Sequence, residues 1–238
     1  MGYERSGGEC YNFYMDPDRK LWNEQHKLLR DALSKPGGHA AAIDLFLRQH
    51  AMVHDAAVSN SGLPSFADEV WLGADEATIR YVPPKFEHSI AWLIWHIARI
   101  EDMTMNVLMA GKPQIFHQDD WLTKLNITIR HTGNVVMDTA DVIAISEVVD
   151  ITALKTYRNE VGHATREAAS ALQPDEVQQQ VDSARLQKLL DDGSVAREAM
   201  GLIEYWGSLT IAGLLLMPPT RHCLVHLNEA LKLKGKCQ

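Results

Sequence analysis

Apolar residues recur at steps of three and four along most of this chain, the spacing that gathers them on one face of an α-helix. Residues 18 to 34 show it first, with Leu21, Trp22, Leu28, Leu29, Ala32 and Leu33 in register until Ser34-Lys35-Pro36-Gly37-Gly38 stops them. A second helix is expected over residues 39 to 58, with Ala42, Leu45, Phe46, Met52, Val53 and Ala56 on its apolar side and Ser59-Asn60-Ser61-Gly62 beyond it. Residues 63 to 86 are mixed, with a short amphipathic piece around Val70-Trp71-Leu72 and then Val82-Pro83-Pro84, whose prolines forbid a helix. The most apolar segment follows, a helix over residues 89 to 110 closed by Gly111 with Pro113 after it.

From Pro113 to Asp150 the pattern fades into polar loops and a short helix after Asp138-Thr139-Ala140-Asp141, so residues 112 to 150 read as an insertion. Helix resumes over residues 151 to 172 and stops at Gln173-Pro174-Asp175. A short polar helix runs through Leu190, another covers residues 194 to 206 with a continuation through Met217, and the last starts at Pro219 and ends near Lys234-Gly235. No stretch alternates with period two for long enough to be a strand, and no repeats are visible. The expected class is all-α, an up-and-down four-helix bundle with additional short helices and loop insertions.

With 238 residues and 46% hydrophobic content, the chain is long enough to bury a full core. Its 31 acidic residues outnumber its 23 basic ones, for a formal net charge of -8, and Lys and Arg form no cluster that could track a phosphate backbone. A nucleic-acid partner is therefore not expected. Cys10, Cys223 and Cys237 make an odd count without a Cys-x-x-Cys pair, which argues against a disulfide framework and for a reducing, cytoplasmic location. The longest apolar run, residues 211 to 217, is too short to cross a bilayer, and Met1-Gly2-Tyr3-Glu4-Arg5-Ser6 has no signal-like apolar stretch, although Gly2 and Ser6 match the myristoylation pattern.

The motifs of serine hydrolases, phosphate-binding loops and dinucleotide folds are absent from the sequence. A di-iron carboxylate bundle needs paired Glu-x-x-His segments, and the lone Glu160-Val161-Gly162-His163 reads as a solvated helix face. Histidine is more informative. His222 and His226 stand four residues apart, with Glu229 three further on, so the three share one helical stripe beside the apolar stripe of Cys223, Leu227, Ala230 and Leu231. Two imidazoles so placed can hold one divalent metal. His50 and His54 form a second such pair, and with 11 histidines in the chain roughly half of one pair is expected by chance. Spacing alone therefore does not choose the ligands, and each histidine also reads as a core-edge ring bonded to a backbone carbonyl. His96 sits in the most apolar helix, where a buried imidazole needs a partner at each ring nitrogen. Glu101 and Asp102 follow it, either paired with Arg99 or exposed, and Trp92, Trp95 and Trp206 read as core packing.

The segment Ser89-Ile90-Ala91-Trp92-Leu93-Ile94-Trp95-His96-Ile97-Ala98-Arg99-Ile100-Glu101, with Asn106 and Gly111 after it, resembles the second helix of the DinB-like superfamily, which includes bacillithiol- and mycothiol-dependent transferases. His222-Cys223-Leu224-Val225-His226 is similar to the His-x-x-x-His motif of that superfamily's last helix. The resemblance covers residues 87 to 111 and 201 to 232, and implies one DinB-like domain over residues 1 to 238, with extra material at 1 to 38, 112 to 150 and 173 to 193. It further implies a homodimer and a divalent metal, zinc or nickel, held by His96, His222 and His226. Positions left open would serve a small-molecule substrate, with a low-molecular-weight thiol as a further cofactor, in S-transfer or hydrolysis at a small electrophile.

Two departures stand out. Met217-Pro218-Pro219 interrupts the last helix just before His222 and is expected to shift the pair relative to His96. Glu229 stands where the superfamily commonly has Gln, as an acceptor for an imidazole N–H, a catalytic proton acceptor or a surface carboxylate. Two other readings compete: a non-catalytic dimeric binding or stress-response bundle without metal, and a site using His50 and His54 alongside or in place of the C-terminal pair.

Overall fold

The computed structural model describes residues 19–62, 65–84, 88–131 and 139–237. Residues 1 to 18, with Gly2, Ser6 and Cys10, lie outside them. Helices α1 (Arg19–Leu33) and α2 (His39–Val53) form a hairpin. Three short helices follow, α3 (Ala56–Ser59), α4 (Phe66–Trp71) and α5 (Glu76–Arg80). Then comes α6 (Ile90–Glu101), continued by a π-helix over Asp102–Met109. Next are a 3₁₀ turn (Ile115–His117), α7 (Trp121–Lys124), α8 (Thr139–Val148) and the long α9 (Ile151–Ala171). The chain closes with α10 (Ser183–Asp191), α11 (Met200–Gly207), α12 (Ile211–Leu216), a π-helix over Met217–His222 and α13 (Cys223–Cys237). The fold is all-α: among the described residues no strand forms, and the Gln180–Thr210 bridge stands isolated. No described helix is long and apolar enough to cross a membrane.

Helix α6 sits at the centre, against α9 on one side and α13 on another, while α2 closes the bundle through α9 and the Met217–His222 segment. Its start is set by Ser89, whose Oγ accepts the Trp92 amide at 3.0 Å, and that of α9 by Asp150, whose Oδ1 accepts the Ala153 amide at 2.7 Å. Every residue of α6 and of its π-helical continuation is buried. Trp92, Trp95 and Trp206 are in the core, as their setting in the sequence suggests, while Glu160 and His163 lie on the exposed face of α9.

Several boundaries depart from the sequence expectation. Helix α2 stops at Val53 rather than near residue 58, because His54 turns to extended backbone at φ -116° and ψ 161°. The freed Val53 carbonyl accepts the Arg158 Nη2 at 2.6 Å. The segment expected to run on through Met217 is broken after α11, where the Ile211 and Ala212 amides donate to the Gln179 and Val177 carbonyls at 2.9 and 2.8 Å. The last helix does not begin afresh at Pro219. Pro218 and Pro219 carry no N–H, and the backbone absorbs that loss by widening into a π-turn in which Thr220 Oγ1 donates to the Leu215 carbonyl at 3.0 Å. Residues 112 to 150 are less peripheral than their polarity suggests, since Phe116, Trp121, Leu125, Ile127, Val142 and Ile145 are buried in the core.

Gly162 of α9 packs closely against His54, just after α2, and Val58 of α3. A Cβ there would lie 2.6 Å from His54 Nδ1 and 3.0 Å from Val58 Cγ1. Alanine ordinarily favours a helix interior over glycine by about 1 kcal/mol. Here Gly162→Ala is expected to destabilise the protein instead, by about 1–3 kcal/mol in urea unfolding, because overpacking against a pinned ring outweighs the propensity gain.

Candidate metal centre

Two helices bring three imidazoles together. His96 projects from α6 and is 5% exposed, while His222 closes the Met217–His222 π-turn and His226 follows one turn into α13. His96 Nε2 and His222 Nε2 face each other at 3.2 Å, and one nitrogen from each of the three rings lies within 4.8 Å of the others. The proline interruption thus does not part the pair from His96. The ring centroids are 4.6 to 5.0 Å apart, with His226 edge-on to both neighbours.

The rings are held from behind. Trp92 stacks on His96 at 4.8 Å and 6°, and His88 stacks on Trp92 at 4.0 Å and 7°, a column built at every fourth residue from 88 to 96. Glu229 closes the loop, with Oε2 3.2 Å from His226 Nδ1 and Oε1 3.0 Å from His88 Nδ1. Burial opposes its charge, but those two imidazoles win and hold the carboxyl down to about 2. Glu229 is therefore an ionised acceptor that orients His226 through Nδ1 and leaves Nε2 as the nitrogen not bonded to it, the carboxylate–histidine arrangement seen behind metal ligands. At His222, burial and then the neighbouring His96 and His226 push the ring well below the usual imidazole range, so it stays neutral with a lone pair to offer. Its Nδ1 is buried without a hydrogen-bond partner.

His50 and His54 do not join this group. They form a second one around Glu101, with His50 Nε2 2.9 Å from Oε1 and His54 Nε2 2.8 Å from Oε2, all three side chains fully buried. Their rings stack at 4.2 Å and 21°. Cys223 Sγ lies 3.6 Å from Glu101 Oε2 and 3.4 Å from the Pro218 carbonyl. Burial, reinforced by Glu101, pushes the Cys223 thiol up, in keeping with the core position expected for it. Burial lowers His50 and takes His54 down to about 3, against the pull of Glu101. The Glu101 carboxyl is held well below its usual range, since His54 and His50 outweigh its own burial. The chemical state is an ionised carboxylate accepting from two neutral rings. Glu101 is thus neither exposed nor paired with Arg99. The partner of Arg99 is Asp102, 3.7 Å away, which also accepts the Ile115 and Phe116 amides and the Tyr157 hydroxyl.

A family model of the DinB superfamily matches residues 66–217. The chain belongs to the DinB superfamily. The matched residues of this DinB protein include His96 and Glu101 and end before His222 and His226. No curated protein matches the chain. Sequence reasoning passed over His88 and the role of Glu101. The signal for His88 was its place two four-residue steps before His96, and that for Glu101 was a carboxylate in the most apolar helix, where a charge needs partners from elsewhere in the fold.

The lowered imidazoles fix the acid response of the metal-free protein. Rings that titrate near 6.5 when unfolded resist protonation in the fold. Stability is therefore full above that pH and falls as the unfolded chain takes up protons that the native state refuses. For His54 the window runs from about 6.5 down to about 3. Urea unfolding of His54→Gln across that window should show a slope shallower by about 1.4 kcal/mol per pH unit near its middle. An unchanged slope would mean the ring is not held neutral.

Proposed function

We propose that this DinB protein binds a divalent transition metal through His96, His222 and His226 and uses it in S-transfer from a low-molecular-weight thiol, or in hydrolysis, at a small electrophile. The observation that carries the reading is the 3.2 Å approach of His96 Nε2 to His222 Nε2. Two nitrogens that each sit 2.0–2.1 Å from a tetrahedral zinc lie about 3.3 Å apart, so the pair is already at ligand spacing. At that spacing the two nitrogens share at most one proton, and a cation in place of that proton would take a lone pair from each ring.

A bound zinc or nickel ion would supply a Lewis acid that lowers the pKa of a thiol or water and fixes its direction of attack. The side chains do the rest. His96 is held in place by the Trp92 and His88 column, and His226 by Glu229. Three histidines leave coordination positions open, as catalytic sites require. Glu229, a carboxylate held ionised by His226 and His88, orients the His226 ring. We further propose that the chain forms one DinB-like domain and works as a cytoplasmic homodimer.

The test is elemental mass spectrometry on untagged protein purified without chelator, beside His96→Ala and His226→Ala. Each variant is expected to lose about one equivalent of transition metal relative to wild type while keeping its helical circular dichroism. Equal metal content in all three proteins would sink the assignment and return the chain to a non-catalytic binding bundle.

A further inference from the structure

Glu101, His50, His54 and Cys223 are each 0% exposed and come from three different helical segments, α6, the end of α2 and the start of α13. A buried carboxylate needs donors, and two neutral rings and a thiol supply them. That accounts for Glu101 but not for the imidazoles. With Nε2–H turned to the carboxylate, His50 Nδ1 and His54 Nδ1 are buried lone pairs without a partner. Each such group costs about 1–3 kcal/mol. That penalty stays with the rings whether Nδ1 holds a lone pair or a proton, so what sets two imidazoles apart from simpler donors is the pair of metal-type nitrogens they bring to Glu101.

We propose that His50, His54, Glu101 and Cys223 are a second divalent-metal site, a closed tetrahedral set of two nitrogens, one oxygen and one sulfur that takes zinc or a similar ion. The imidazole and carboxylate donor atoms already lie within 4.8 Å of one another; the Cys223 sulfur, 3.6 Å from Glu101 Oε2, stands outside that cluster and closes the set by turning in from its contact with the Pro218 carbonyl. Four protein ligands with no open position is the pattern of a structural zinc site. Charge favours the set as well. One carboxylate and one thiolate cancel a divalent cation, so the filled site is neutral, which a fully buried pocket tolerates far better than a net charge. A neutral neighbour also adds no net charge beside a cation held by the three-histidine group. On filling, each imidazole moves its ring proton from Nε2 to Nδ1 and frees the nitrogen that now faces Glu101. Cys223 gives its proton to solvent, so one proton is released for each ion bound.

The test is titration of the metal-free, full-length protein with Co²⁺, read by absorption. Wild type should take up about two equivalents, one of them developing a near-ultraviolet sulfur-to-cobalt charge-transfer band together with visible tetrahedral bands. His226→Ala should retain that band while losing about one equivalent, and the near-isosteric Cys223→Ser and Glu101→Gln should lose or greatly weaken it. Saturated wild type without a charge-transfer band, a band that survives Cys223→Ser, or a band that vanishes in His226→Ala would each overturn the second site. The wild-type spectrum needs no variant to fold. The outcomes also separate the two sites: uptake of about one equivalent, without the band and lost in His226→Ala, leaves the three-histidine reading standing and removes this one. A band that persists when His96→Ala and His226→Ala lose no metal does the reverse.

Discussion

A helix buried on every side must find a partner within the protein for each polar side chain it carries, and α6 with its π-helical continuation carries six: His96, Arg99, Glu101, Asp102, Thr104 and Asn106. The rest of the bundle is arranged around that obligation. Helix α2 and the residue after it bring His50 and His54 to Glu101, α13 brings Cys223, and α9 brings Tyr157 to Asp102. Residues that read as an insertion supply the Ile115 and Phe116 amides to Asp102 and Gln114 to Arg99, whose guanidinium also lies 3.8 Å over the Phe116 ring. Removing one member of such a set strands a buried charge, which typically costs about 3–5 kcal/mol.

Much of this was legible in the sequence. The helices with strong apolar periodicity appear within a few residues of their expected ends, and His96, His222 and His226 converge. What periodicity could not show was where backbone hydrogen bonding changes register. The end of α2 at Val53 depends on Arg158 reaching the freed carbonyl and on His54 turning to Glu101, both contacts across about fifty residues or more. The π-turn at Met217–His222 depends on how the chain accommodates two prolines, and a start at Pro219 and a widened continuous helix satisfy the same local rules. Glu101 was overlooked for a related reason. A carboxylate beside Arg99 suggests a local ion pair, and only the fold shows that the guanidinium goes to Asp102 instead.

The two histidine groups also differ in how they are supported. Around the three-histidine group, partners stand behind the rings: the stacked Trp92 and His88, and Glu229 on the Nδ1 of His226. Around Glu101 the contacts face inward, and the outer nitrogens of both rings meet only packing, with Gly162 pressed against His54. The first arrangement presets ring directions while keeping part of His222 and His226 at the surface, which suits a site that exchanges ligands. The second is sealed, which suits a site that holds the fold together.

One pair of helices can serve both groups because of the angles between their residues. His96 and Glu101 are five residues apart on α6, about 140° around its axis, and His222 and Cys223 are neighbours about 100° apart. Helix α6 therefore presents one such side chain to each group, and the C-terminal segment presents His222 and His226 to one and Cys223 to the other, so the two clusters share a wall instead of competing for a face. The π-turn is what makes this workable at the C-terminal end. It inserts an extra residue into the turn and resets the face on which His222 and Cys223 emerge. The proline pair that looked like a disruption of the His-x-x-x-His helix is thus compatible with His222 within 3.2 Å of His96 and Cys223 against Glu101.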